Sequence, residues 1–283
     1  MPELPEVEIL IRHLSPLIKG RTIRNVEVRR AKVIAPTSER ELKQTLSGAK
    51  FIDVTRRGKY LLFTLRKADQ RTPLSLLGHL GMTGRMYLLS KKAPLPKHAA
   101  VTMDLGQVQF IYEDTRYFGR LTLDTSSIAA LGPEPLGPEF TAAYFATALK
   151  RSSQPIKIKL LDQSLVAGVG NIYASEALYR AGISPRLAAN KLKPPQIKLL
   201  RQAIRDVLNK AIKCGSTLPL DFEGSGSRDG LFYYGNAGNA SEFYQERLLV
   251  YDRHGKPCAR CSTGIKRFVQ AARSTFYCPR CQR

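Results

Sequence analysis

Four of the five cysteines form the pattern that most restricts how this chain can fold. Cys258 and Cys261 make one Cys-x2-Cys pair, and Cys278 and Cys281 make a second pair near the C-terminus. Two such pairs supply four thiolates at the spacing of a tetrahedral zinc site, whereas disulfides are the alternative in an oxidising compartment. Because four cysteine ligands leave no open position on the metal, we expect one structural Zn²⁺ in a small zinc finger. Cys214 is left over.

The charge of the chain restricts its partners. Its 283 residues include 45 Lys and Arg against 23 Asp and Glu, a formal net charge of +22. So large a charge predicts a polyanionic partner, with nucleic acid favoured over an anionic membrane. The sequence has no apolar run of transmembrane length, and its acidic start is unlike a signal peptide. We therefore expect a cytoplasmic protein that has no membrane contact.

The segment PELPEVE at 2–8 allows two interpretations. After removal of the initiator Met, Pro2 would carry a terminal secondary amine, and terminal amines titrate near pH ~8, below lysine. Such an amine can attack a carbonyl carbon and form an iminium, an electron sink for elimination, with Glu3 beside it to transfer protons. Alternatively, these residues only begin an amphipathic helix, because proline and acidic residues favour a first turn and apolar residues recur at helical spacing from Leu4 to Ile18.

The hydrophobic pattern changes period near the middle of the chain. Strand-like runs occur first, around a short polar helix over 39–47, at 22–35, 50–56, 59–66, 73–80, 84–89, 99–104, 107–112 and 119–123. Many short strands indicate a β-sandwich or barrel. After a Pro/Gly-rich hinge at 131–139, helices are predicted over 141–151, 155–166, 171–182, 194–213 and 218–222. A Gly/Ser/Asn-rich mobile loop is predicted over 223–241.

Several side chains in the strand-rich half could contact nucleic acid. Arg116 and Phe118 are two residues apart at a predicted strand end, where such residues point the same way, and an aromatic wedge can enter a base stack. Met82 stands in a glycine turn and could act likewise. Met82 and Phe118 could instead be ordinary core residues. Lys59 could be a solvated strand lysine, and His98 in a Pro-rich loop is weak on its own.

Taken together, these motifs resemble those of the formamidopyrimidine-DNA glycosylase family of base-excision repair enzymes. The shared motifs span nearly the whole chain: PELPEVE at 2–8, GKYLL at 58–62, HLGMTG at 79–84, DTRYFG at 114–119, LGPEPL at 131–136, VGNIYASEAL at 169–178 and a zinc finger ending RSTFYCPRCQ. The sister endonuclease VIII group usually begins PEGPE, whereas this chain has Leu4. Thr115 and Tyr117 also stand where the family commonly has Pro and Arg, and Asp252 where Gly is more usual.

The resemblance implies an α+β multidomain fold with DNA bound in its cleft. We expect an N-terminal β-sandwich with flanking helices over 1–131 and a helix-two-turn-helix domain over 132–222. A flexible loop that caps the lesion would follow over 223–242, and a four-cysteine zinc finger over 243–283. The expected partner is damaged double-stranded DNA, bound by a monomer associated with the nucleoid.

The resemblance also implies roles for individual residues. The expected catalytic set has Pro2 as the nucleophile at the sugar C1′, Glu3 for proton transfer at the deoxyribose, Lys59 for elimination and Arg273 on a flanking phosphate. Residues that would fill the gap left by the everted base are Met82, Arg116 and Phe118. The other expected DNA contacts are His79, His98, Arg151, Lys157 and Asn171.

The implied activity is that of a bifunctional DNA glycosylase and abasic-site lyase. It would remove oxidised purines such as 8-oxoguanine and formamidopyrimidines, and cleave the strand by β,δ-elimination through a Pro2 Schiff base, with no catalytic cofactor. An endonuclease VIII-type enzyme that prefers oxidised pyrimidines is the alternative enzyme. A DNA-binding protein without catalysis is the alternative outside enzymes, although binding alone needs none of Pro2, Glu3 and Lys59.

Overall fold

A computed structural model describes residues 2–214 and 248–283, which form two compact units. The first unit holds Pro2 and Glu6–Ala129, and the second holds Glu3–Pro5 with residues 130–214 and 248–283. The division into four domains stays a prediction, because its boundaries at 222 and 242 lie outside the described residues, as do the predicted helix at 218–222 and loop at 223–241. In the described part of the chain, no helix has both the length and the apolar character needed to cross a membrane.

The first unit is a β-sandwich with helices. One antiparallel sheet has the order β1–β6–β7–β5 and the other β2–β3–β4–β8. The strands are β1 (Asn25–Val28), β2 (Lys50–Arg57), β3 (Tyr60–Arg66), β4 (Leu74–His79), β5 (Gly84–Ser90), β6 (Ala99–Asp104), β7 (Val108–Asp114) and β8 (Arg120–Thr122). Helix α1 (Leu4–Ile18) begins the chain, and α2 (Glu39–Leu46) precedes β2.

Alternating apolar residues explain how the two sheets share one core. In β3, Leu61, Phe63 and Leu65 are buried while the residues between them are partly exposed, as expected for a strand with one face on the core. The ring of Phe63 lies 6.0 Å from that of Phe51 in the same sheet and 5.9 Å from that of Phe110 in the other sheet. These aromatic contacts join the two layers.

Two predicted elements are shorter in the structure. The strand predicted over 22–35 keeps only β1, because the backbone N–H groups of Arg29 and Arg30 both donate to the carbonyl of Ala100 and the ladder ends there. The helix predicted over 155–166 ends at Leu161. The carboxylate of Asp162 then accepts hydrogen bonds from the backbone nitrogen and hydroxyl of Ser164, a local turn that competes with the helix.

The second unit packs helices against a small hairpin. Its helices are α3 (Ala142–Lys150), α4 (Ile156–Leu161), α5 (Asn171–Ala181) and α6 (Pro194–Lys213), and its hairpin pairs β9 (Lys266–Gln270) with β10 (Arg273–Tyr277). Helix α5 is buried along most of its length. It ends at Ala181, and the next residue, Gly182, has a φ of 70°, which glycine adopts readily. Leu4 joins the core formed by α3 to α6.

Candidate active site and zinc centre

Glu3 lies at the N-terminal end of α5. Its Oε1 accepts a hydrogen bond from the backbone nitrogen of Ile172 at 2.8 Å, and Oε2 accepts one from Tyr173 at 3.3 Å. The first turn of a helix offers unpaired N–H groups and a positive dipole end, so a buried carboxylate is stabilised there. A Cβ atom on Gly170 would lie 2.2 Å from the Glu3 carboxyl carbon. Only glycine therefore lets Glu3 reach this position.

Pro2 and Lys59 both belong to the first unit. Pro2 is buried and directly precedes Glu3 in the chain, and Met1 lies outside the described residues. Lys59 follows Gly58, whose φ is 58°, in the turn between β2 and β3, and only 6% of its surface is exposed. A buried lysine in a glycine turn is unlike the solvated strand lysine that the sequence also allowed.

His79 lies at the end of β4 and stays uncharged near neutral pH. Burial, followed by the charges of Lys59 and Arg120, lowers the pKa of His79 to about 4. Its Nδ1 accepts a hydrogen bond from the backbone nitrogen of Gly81 at 3.2 Å. The ring therefore also supports the turn that carries Met82.

The three predicted wedge residues are exposed at neighbouring loops. Met82 is 44% exposed and Phe118 is 49% exposed, which argues against the core interpretation. The strand argument for Arg116 and Phe118 is wrong, because they lie in the loop after β7 and Tyr117 between them has a φ of 52°. Even so, the Arg116 guanidinium carbon lies 4.7 Å from the centre of the Phe118 ring, a cation–π distance.

Asp114 joins the two loops, a role that the sequence analysis missed. This buried carboxylate accepts hydrogen bonds from the Thr83 hydroxyl at 2.6 Å and from the backbone nitrogens of Arg116 at 3.1 Å and Gly119 at 2.8 Å. A Cβ atom on Gly81 would lie 2.6 Å from the nitrogen of Gly119. The two loops thus meet backbone to backbone. The only sequence signal was the glycine content of both motifs.

Three predicted contact residues of the second unit meet at β10. Lys157 is fully buried, and its Nζ donates to the Thr275 hydroxyl at 2.6 Å and to the Ser274 carbonyl at 3.0 Å. Burial, followed by the charge of Arg273, lowers the pKa of Lys157 to about 8. Asn171 Nδ2 donates to the same Ser274 carbonyl at 3.1 Å. Lys157 and Asn171 therefore fix the strand that begins at the exposed Arg273.

Two further predicted contacts are His98 and Arg151. His98 is half-buried, with Nδ1 3.4 Å from the Tyr117 hydroxyl. Arg151 is exposed directly after α3.

The four predicted zinc ligands come together. The Sγ atoms of Cys258, Cys261, Cys278 and Cys281 all lie within 4.8 Å of one another. Three of the separations are 3.4, 3.5 and 3.9 Å, close to the about 3.8 Å expected between sulfurs at 2.3 Å from a tetrahedral zinc ion. These four thiolates form a site for one structural zinc ion.

Three family models match successive parts of the chain. The formamidopyrimidine-DNA glycosylase N-terminal domain matches residues 1–121, and the H2TH domain of the same enzymes matches residues 131–220. The zinc finger found in FPG and IleRS matches residues 255–283. The predicted fold class, with a β-sandwich, a helix-two-turn-helix region and a four-cysteine finger, is confirmed.

Curated relatives and solved structures point to the same family as these models. The chain is 40% identical to a formamidopyrimidine-DNA glycosylase of Carboxydothermus hydrogenoformans over all of both chains, and 42% identical to one of Symbiobacterium thermophilum, with 100% of this chain and 89% of the relative covered. A Lactococcus lactis FPG mutant bound to Fapy-dG DNA matches with a TM-score of 0.86, 35% identity and 99% of each chain covered. A structure of MutM with carbocyclic 8-oxo-G DNA matches with a TM-score of 0.85, 36% identity and 99% coverage of each chain.

Proposed function

This chain belongs to the formamidopyrimidine-DNA glycosylase family, and from that membership we propose that it removes oxidised purines from duplex DNA and then cleaves the abasic site. The observation that carries the proposal is the Glu3 carboxylate, fixed on the first turn of α5 one residue after Pro2. The same carboxylate also caps the helix, but DNA binding alone would make no use of a proton-transfer group beside a terminal amine.

The proposed chemistry begins at the N-terminus. The free amine of Pro2 attacks C1′ of the damaged nucleotide, the C1′–N bond breaks, and the base leaves as its nitrogen gains a proton. Glu3 transfers protons at the deoxyribose as the ring opens to the iminium. Loss of a C2′ proton then breaks the C3′–O bond and expels the 3′-phosphate. Loss of the C4′ proton next breaks the C5′–O bond and expels the 5′-phosphate. Water finally hydrolyses the iminium and frees Pro2.

Lys59 and the charged residues of the second unit have proposed supporting roles. The ammonium of Lys59 would contact a phosphate and assist its departure. Arg273 and Asn171 would contact phosphates beside the lesion, and Lys157 would act by holding β10 in place. We propose that His79, His98 and Arg151 make further contacts with the DNA backbone. The net charge of +22 supports binding dominated by phosphates.

The exposed wedge supports flipping of the damaged nucleotide. Extrusion of a base leaves a gap in the stack and costs a few kcal/mol. Met82, Arg116 and Phe118 would fill that gap. Their exposed, interlocked loops suit insertion into a duplex better than packing in a core. A DNA substrate would also associate the protein with the nucleoid.

Borohydride trapping tests the role of Pro2 directly. With an 8-oxoguanine duplex, reduction during turnover should give a covalent protein–DNA adduct that maps to the N-terminal peptide. One extra residue before Pro2 turns the amine into an amide and should abolish trapping. Normal trapping by the extended protein would refute Pro2 as nucleophile and make Lys59 the next candidate.

Substrate choice tests the purine preference. Duplexes that carry 8-oxoguanine, a formamidopyrimidine or thymine glycol should be cleaved in the order purine lesions before thymine glycol. Faster cleavage of thymine glycol would support the endonuclease VIII-type alternative. DNA binding without excision of any lesion would support the non-catalytic one.

A further inference from the structure

The C-terminal end of α5 carries the first cysteine pair. Arg260 lies between Cys258 and Cys261, and its two Nη atoms donate to the backbone carbonyls of Tyr179 and Arg180, each at 3.1 Å. Its guanidinium carbon also lies 4.5 Å from the centre of the Tyr179 ring. This arrangement holds the cysteine pair against the last turn of the helix.

The second cysteine pair rests on the residues that follow the helix. Gln282 Nε2 donates to the carbonyl of Ile183 at 3.0 Å, and Gln282 Oε1 accepts from the backbone nitrogen of Cys278 at 2.8 Å. The backbone nitrogen of Arg283 donates to the carbonyl of Gly182 at 3.3 Å. Both halves of the zinc centre are therefore seated on one end of α5.

The side chain of Tyr179 reaches a zinc ligand itself. Its hydroxyl oxygen lies 3.1 Å from Cys258 Sγ, and both residues are buried. A zinc-bound cysteine is a thiolate with no proton to give, so the hydroxyl must donate and the sulfur must accept. A hydrogen bond to a charged acceptor is stronger than a neutral one, and such contacts around a metal ligand affect how tightly the metal is held.

We propose that Tyr179 is a positioning residue for the zinc centre, whose hydroxyl hydrogen bond to the Cys258 thiolate slows zinc release. The bond spreads the negative charge of the four thiolates and fixes the direction of one ligand. It also makes retention of the metal depend on α5, the helix whose other end holds Glu3. The proposal concerns zinc and stands whether or not the proposed glycosylase reaction is correct.

Tyr179→Phe isolates the hydroxyl, because it keeps the ring beneath Arg260. Zinc transfer from the full-length protein to a chromophoric chelator should become about tenfold faster, at the lower end of the effect of such contacts. Tyr144→Phe is the matched control: its hydroxyl donates to the Leu165 carbonyl at 3.1 Å in the same unit. That variant should release zinc at the wild-type rate.

Cobalt substitution adds a readout that reports only on metal-bound protein. Loss of a hydrogen bond raises the energy of the thiolate lone pairs. The thiolate-to-cobalt charge-transfer band should therefore move to longer wavelength in Tyr179→Phe and stay in place in Tyr144→Phe. A wild-type release rate together with a wild-type band in Tyr179→Phe would overturn the proposal, and so would equal changes in both variants.

Discussion

Glu3 Oε1 lies 2.8 Å from the backbone nitrogen of Ile172, so the carboxylate at the start of the chain closes the first turn of a helix 169 positions later. The contact satisfies N–H groups that the helix itself leaves unpaired. It also holds the proposed proton-transfer group at a fixed place directly after Pro2. Glu3 therefore has a structural role, which is to accept hydrogen bonds from α5, and a proposed chemical role, which is to transfer protons. Mutations can separate these two roles.

Glu3→Gln should block base excision and spare part of the lyase reaction. The amide oxygen can still accept one hydrogen bond from α5, so we expect a loss of only about 1 kcal/mol in unfolding free energy. Excision from an 8-oxoguanine duplex should disappear. Cleavage at a preformed abasic site should partly remain, because that site already exposes an aldehyde. Equal loss in both assays would contradict separate roles.

Gly170→Ala should displace the Glu3 carboxylate. The added Cβ would lie 2.2 Å from its carboxyl carbon, whereas a Cβ on Gly264 would meet nothing nearer than 3.8 Å. A misplaced catalytic group can cost on the order of a hundredfold in rate. We therefore expect a large fall in excision rate for Gly170→Ala and none for Gly264→Ala, measured under single-turnover conditions. Equal rates in the two variants would count against the positioning argument.

Met82→Ala and Met86→Ala should have opposite effects. Met82 is exposed, so its loss should change the unfolding free energy by less than about 0.5 kcal/mol, yet lower activity on duplex DNA. Met86 is buried at 2% exposure, and its loss should cost about 2–5 kcal/mol. Chemical denaturation and duplex cleavage assays on both proteins would measure this. A strongly destabilised Met82→Ala would support the core interpretation instead.

Acid should destabilise the first unit partly through His79. Its pKa is about 4 in the folded protein and about 6.5 when unfolded, so the unfolded state binds more protons between these values. The contribution is complete above pH ~6.5 and is lost as pH falls toward 4, by about 3 kcal/mol at most. In urea unfolding, His79→Gln should show a shallower loss between pH 7 and 4.5. Equal slopes for the wild-type protein and His79→Gln would contradict this contribution.

Cys278→Ser should remove zinc, whereas Cys214→Ser should not. Cys278 contributes one of the four clustered sulfurs, and Cys214 is absent from that cluster. Structural zinc contributes directly to folding, so the hairpin that carries Arg273 should lose its order and DNA binding should weaken. Metal analysis and binding titrations would measure both effects. Active wild-type protein without zinc would contradict the prediction.

Features that depend on the spacing of residues close along the chain could be predicted from the sequence with little ambiguity. The cysteine pairs predicted the zinc site, and the apolar period predicted the helix over 194–213, which the structure gives as Pro194–Lys213. Both depend on residues close along the chain. The exposure of Met82 and Phe118 was different, because the local sequence allowed both a wedge and a core position for each, and the family resemblance favoured the wedge.

Contacts between distant residues left no local signal. Lys157 was predicted as a DNA contact, but its buried ammonium is bonded to residues 117 and 118 positions away. The sequence also did not predict the conformation of the turn before Arg273. Ala271 and Ala272 have φ values of 47° and 58°, a conformation usually taken by Asn or Gly in two-residue hairpins. Tertiary packing determines both features.

The exposed position of Phe118 is also suitable for a fluorescent probe of DNA binding. The chain contains no tryptophan, so Phe118→Trp would give the protein a single indole fluorophore. In the free protein that indole would be partly exposed to water. The charged groups of Arg116 and Lys32, which lie 4.7 and 5.5 Å from the centre of the Phe118 ring, would be its neighbours. Entry into a base stack would change its emission at once. Stopped-flow fluorescence could then time the search for damage on unlabelled DNA.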